Sequence, residues 1–152
     1  MKRFVFKLQS LLNYKKHLEQ IARQEMAKAV AEVMACEQQI QDLKDNRESS
    51  ALRLDTLVEK GVDAKEFKLY HGFLTAVDQM IVDEKNRKFK LEKILNEKRS
   101  ILKKRTIDKK AMERLRDRRA EEYTQEMLRE EQKELDEIAV LKTAREIANG
   151  HR

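Results

Sequence analysis

The chain contains no proline in 152 residues, and its three glycines stand at positions 61, 72 and 150. These two residue types interrupt regular structure most strongly. Their scarcity leaves one interior break, between Gly61 and Gly72, and a stop at Gly150. The single cysteine, Cys36, excludes an internal disulfide and suits a reducing cytoplasm. Tryptophan is absent, and aromatic residues make up only 5% of the chain. Hydrophobic residues reach 40%, many of them alanines in helical register, which is too little for a broad compact core. No apolar run approaches the ~18 residues that a membrane-spanning helix needs. The opening Met1-Lys2-Arg3-Phe4-Val5-Phe6 is followed by Lys7, Gln9, Ser10 and Asn13. Those polar residues interrupt any signal-peptide core, so the segment reads as part of the mature protein.

What the chain does contain is charge and helical periodicity. Charged residues make up 41%, the composition of long helices and coiled coils. From Ala22 an apolar seam alternates steps of four and three residues: Met26, Ala29, Val33, Cys36, Ile40, Leu43, Arg47, Ser50, Leu54 and Leu57. A period of 3.5 is what a left-handed coiled coil buries. Cys36 lies in this seam and reads as a packed thiol. Upstream, Leu8, Leu11, Leu12, Leu18 and Ile21 fall in another phase, which predicts a shift of the seam near residue 20. Gly61 suits a left-handed helix stop, and Asp63 with Glu66 suits the start of the next helix. The second helix opens with its own seam at Phe67, Tyr70, Leu74, Val77 and Ile81.

A connection this short predicts antiparallel neighbours. The expected fold is all-α: an elongated antiparallel two-helix coiled-coil hairpin with a longer C-terminal helix. It forms a single domain over residues 1–152, with helix 1 at about 5–60, a turn at about 61–65 and helix 2 at about 66–148. At ~1.5 Å per residue the arms extend about 80 Å and about 120 Å. Facing residues should then have numbers that sum to about 125. Helix 1 runs out first, so the stretch from about Tyr123 to Ala148 is left without an internal partner. It carries Met127, Leu128, Leu135, Ile138, Leu141 and Ile147, and an apolar stripe on a lone helix calls for a partner.

The net charge of +6 conceals segregation along helix 2. Lys85 to Arg119 holds sixteen Lys and Arg against five acids, whereas Glu121 to Glu137 holds eight acids against two bases. A basic coiled-coil nucleic-acid binder is therefore an alternative reading. Phe89 is the only aromatic in the basic block, and the leucine heptads after it end at Leu135, so specific nucleic-acid recognition is not expected. Chemistry has little to work with. His17, His71 and His151 have no second ligand at helical spacing, and Glu130, Glu131 and Glu134 lack the Glu-x-x-His pairs of di-iron bundles. Three scattered glycines cannot build a phosphate loop. No enzyme activity, cofactor or metal is expected.

Both ends of the chain carry a resemblance. Phe4-x-Phe6-x-Leu8-Gln9-x-Leu11-Leu12-x-Tyr14 with Glu19, and the run from Glu121-Glu122-Tyr123 through Glu131 to Glu137, resemble the opening and closing segments of the flagellar export proteins called FliJ. Length, lack of proline and the off-centre break match as well, so the resemblance covers nearly the whole chain. It implies a non-catalytic, cytoplasmic component of the bacterial flagellar type III export apparatus, peripherally associated with the inner membrane. Such a protein inserts as a central stalk into the hexameric export ATPase, promotes its assembly and activity, and contacts the cytoplasmic domain of the export gate and export chaperones. By position, the ATPase-facing residues are Phe4, Phe6, Leu8, Leu11 and Leu12, with Leu128, Leu135, Ile138 and Leu141. The export-gate residues are Gln39, Leu43, Phe73 and Val77, while tyrosines of that face are replaced by Asn46 and Ser50. The injectisome homologue of the same stalk is the alternative within this resemblance.

Overall fold

The computed structural model describes residues 2–150, so His151 lies outside the described residues. Among the described residues there are two helices, α1 at Gln9–Lys60 with 52 residues and α2 at Ala64–Gly150 with 87 residues. Their join is Gly61-Val62-Asp63. Gly61 has φ 88°, a left-handed conformation that stops α1, and its N–H donates to the Val58 carbonyl at 3.2 Å. The Asp63 carbonyl then accepts from the Phe67 N–H at 3.0 Å, the first helical bond of α2. Glu66 stands in that first turn, where a negative charge favours the helix dipole. Gly72 lies inside α2 in open surroundings, so it marks neither a close approach nor the start of the helix.

The chain divides into two compact units, each built from both helices. The first takes in the chain ends, up to His17 and from Thr106. The second is Leu18–Arg105.

In the Leu18–Arg105 unit, every seam residue of α1 from Ala22 to Leu57 is buried or half-buried, as the 3.5-residue period requires. Opposite stand Leu74, Val77, Ile81 and Leu95, all buried. Ala29, Val33 and Leu95 form the densest cluster, with Met26, Val30 and Leu91 packed against it. A small residue facing a large one lets the helices approach without a void. Ion pairs across the helices follow the same register: Arg47 with Asp78, Glu37 with Lys88 at 3.3 Å, and Glu25 with Lys98 at 3.8 Å. The paired numbers sum to about 125, which is the antiparallel register that equal rise in both arms demands.

The three-four alternation of α2 continues past Ile81 through side chains that are not apolar. Glu84, Lys88 and Lys98 are half-buried seam positions, interleaved with Leu91, Leu95 and Leu102. The Cys36 thiol donates to the Glu84 carbonyl oxygen at 3.4 Å and approaches its carboxylate at 3.5 Å. Cys36 is only 1% exposed. Loss of solvation pushes its pKa up, and the Glu84 hydrogen bond and charge add to the rise.

In the unit of the chain ends, α1 begins at Gln9 rather than at about residue 5. The Phe4-Val5-Phe6-Lys7 segment alternates with period two: Phe6 is buried and Phe4 half-buried, while Val5 and Lys7 face solvent. A helix would have turned Phe4 and Phe6 ~200° apart. An extended arm directs both rings the same way. The helix then starts on the arm, with the Gln9 N–H donating to the Phe6 carbonyl at 3.1 Å. Leu12 is fully buried, and Lys15 pairs with Asp108 at 3.8 Å.

The expected phase shift near residue 20 does not occur. Buried or half-buried positions of α1 run Leu12, Lys15, Glu19, Ala22 without a break in the alternation. Glu19 is the residue that disguises it: a carboxylate 5% exposed, held by Arg23 at 3.1 Å. Leu11 and Ile21 flank the seam and are 41% and 42% exposed.

Candidate partner-docking surfaces

Two sets of side chains were expected to meet partners, and the structure divides each of them. In the unit of the chain ends, the N-terminal set is largely engaged within the chain. Phe6 lies under the Arg119 guanidinium, 5.9 Å from ring centroid to Cζ. The Phe4 ring sits 5.6 Å from that of Tyr123, tilted by 48°. The Tyr123 hydroxyl donates to the Lys2 carbonyl. Leu12 is enclosed and Leu8 half-buried, which leaves Leu11 as the member of this set with substantial exposure.

The tail of α2 is the opposite case. From Leu128 to Gly150 every side chain except that of Glu131 is exposed. Leu128, Leu135, Ile138 and Leu141 are each about 60% exposed. Apolar residues of this size recur along the exposed tail of the helix. A shallow groove lined by Lys2, Tyr123, Glu126, Met127 and Glu130 adjoins it.

In the Leu18–Arg105 unit, Val77 is buried and Leu43 half-buried, both in the seam between the helices. Gln39 and Phe73 are exposed beside that seam, Phe73 by 45%. Phe73 lines an open groove with Asn46, Ser50 and Arg53 of α1 and Leu69 and Tyr70 of α2. The short side chains at Asn46 and Ser50 make the groove, because they leave the aromatic faces opposite uncovered. His71 stacks on Phe67 at 6.1 Å with the planes 5° apart. A smaller cleft lies between Leu18, Ile21 and Ala22 of α1 and Ile101 of α2, with Lys98, Arg105 and Glu25 around it.

Polar seam positions are the part of the helix pairing least visible in the sequence. Counting onward from Ile81 in steps of three and four reaches Glu84, Lys88, Leu91, Leu95, Lys98 and Leu102, so the signal was spacing alone. The Arg119 contact with Phe6 had no such signal, because it depends on the extended arm. Among the described residues, no helix is long and apolar enough to cross a membrane.

Two helices packed together and joined by a three-residue turn, with apolar side chains of the α2 tail open to solvent, define the class: an all-α helical hairpin. The family model for the flagellar FliJ protein matches residues 4–147, and the chain belongs to that family. It is thereby a component of the flagellar protein export apparatus. No curated protein and no solved structure was found to match it.

Proposed function

We infer that this chain is the non-catalytic central stalk of the flagellar export ATPase. The observation that carries the reading is the open stripe of Leu128, Leu135, Ile138 and Leu141 in a FliJ family member. Two helices, each about 10–12 Å across, are slender enough for the bore of a hexameric ring. A helix pair cannot match sixfold symmetry, so it touches different subunits differently and biases their nucleotide states. Leu11 joins the stripe as a contact. Phe4, Phe6, Leu8 and Leu12 support the contact by fixing the arm. The groove beside Phe73 and Gln39 is the surface for the cytoplasmic domain of the export gate, with Leu43 and Val77 holding the helices beneath it. Export chaperones are further partners, and the protein works in the cytoplasm at the inner membrane.

The test is stimulation of the cognate ATPase by the purified protein. Replacing Leu128, Leu135, Ile138 and Leu141 together by alanine should abolish stimulation while helicity is retained. Stimulation equal to that of the wild type would overturn the stalk reading. For the gate surface, Phe73→Ala should weaken binding to the gate domain by about tenfold, as loss of an interface aromatic does.

A further inference from the structure

Lys110, Arg114, Arg118, Glu122, Glu126 and Glu130 stand four residues apart on α2, and all six are exposed. An i, i+4 row of this kind is one ridge of a helix surface, the part that seats between the ridges of a second helix. This ridge carries three cations followed by three carboxylates, with the change of sign at Ala120. Counting outward from Ala120, each cation has a carboxylate at the same distance on the other side: Arg118 with Glu122, Arg114 with Glu126, Lys110 with Glu130. The pattern extends beyond the ridge. Residues 103–119 hold nine Lys and Arg against three acids, and residues 121–137 hold eight acids against two bases. Two segments of equal length therefore carry equal and opposite net charge, +6 and −6.

A ridge that is mirrored in this way is its own complement when reversed. Two copies of α2 packed antiparallel, with the two-fold axis beside Ala120, bring Arg118 and Arg114 of one ridge against Glu122 and Glu126 of the other, with Lys110 and Glu130 at the margins of the contact. A parallel pairing sets like charges together, so the charge order selects the antiparallel arrangement. The charges are available for it. Among the described residues, Lys110, Arg114, Arg118, Glu122 and Glu126 make no ion pair, and Glu130 meets its neighbour Lys133 at 3.2 Å. Apolar area lies beside the ridge at Ile107, which is 56% exposed.

We propose that this ridge joins a second copy of the chain in a two-fold symmetric, antiparallel α2–α2 contact. The contact is isologous: each copy contributes the same patch, so association stops at the dimer. Opposite charge blocks steer the encounter, and salt weakens it because the charges are exposed.

Sedimentation of the purified protein without any ATPase tests the pairing independently of the stalk reading. A dimer is expected at about 50 mM NaCl, with a dissociation constant at least about tenfold weaker at about 500 mM. The variants K110E/R114E/R118E and E122K/E126K/E130K should each be monomeric while remaining helical by circular dichroism. An equimolar mixture of the two should restore the dimer, because each then offers what the other lacks. A wild-type monomer at low salt overturns the proposal, whether or not it binds duplex DNA instead. So does a mixture of helical variants that stays monomeric, or a dimer that survives either reversal. If a variant does not fold, the salt dependence of the wild type decides alone.

Discussion

The Tyr123 hydroxyl donates to the Lys2 carbonyl while the Tyr123 ring meets Phe4 at 5.6 Å. One side chain of α2 thus holds both the backbone and a side chain of the N-terminal arm. Tyr123→Phe keeps the ring contact and removes the hydrogen bond, an expected loss of about 0.5–1.5 kcal/mol in closure of the arm. Amide exchange of residues 4–9 should accelerate by about threefold to tenfold, and more in Tyr123→Ala. Exchange in the core around Val33 should not change.

The two interior glycines should respond oppositely to alanine. Gly61 is left-handed, so Gly61→Ala should cost about 1–2 kcal/mol although the space for a methyl group is open. Gly72 sits in an open stretch of right-handed helix. Gly72→Ala should stabilise by about 0.5–1 kcal/mol. Urea unfolding of the two variants checks both signs at once.

Cys36 makes stability depend on alkaline pH. Its pKa is raised in the fold by burial and then by Glu84, above an ordinary value of 9.0. Below the ordinary value the thiol is protonated in both folded and unfolded chains, and its contribution to stability is fully present. As pH rises past that point the unfolded chain ionises first, so stability falls until the folded thiol ionises as well. Unfolding midpoints measured from pH 8 upward should decline more in the wild type than in Cys36→Ala. The buried thiol should also label slowly with a disulfide reagent until the chain unfolds.

Burial separates the core from the docking stripe in energy. Leu95 is 6% exposed within the Ala29–Val33 cluster, and Leu95→Ala should cost about 2–5 kcal/mol. Ile147 is 61% exposed, and Ile147→Ala should change stability by less than about 0.5 kcal/mol. Thermal unfolding of the pair distinguishes them.

The hairpin was legible because its determinants are local. Gly61 takes the left-handed conformation that ends α1, and the seam from Ala22 to Leu57 repeats often enough to fix the buried face. The antiparallel register then followed from counting. Glu19 and Glu84 were not legible, since a carboxylate in a seam looks like a solvent residue until the partner helix is placed. The arm was misread for a related reason: Phe4 and Phe6 suit either a helix start or an extended segment, and only their packing on Arg119 and Tyr123 decides. Phe73 stands one residue before Leu74 of the seam, and this displacement leaves its ring at the groove instead of between the helices. The open stripe at Leu128 to Leu141 was readable from arm length alone.

The join at Gly61-Val62-Asp63 also dictates the order in which the chain assembles. Arg47 and Asp78 are 31 residues apart in sequence, whereas Lys2 and Tyr123 are 121 apart. Formed directly from the unfolded chain, the longer closure is two doublings of loop length and about 1.2 kcal/mol less favourable. Formed after the pairs nearer the turn, it closes only a few loose residues. Loop closure thus favours the pairs near Gly61 over the Lys2–Tyr123 clasp as the first to form.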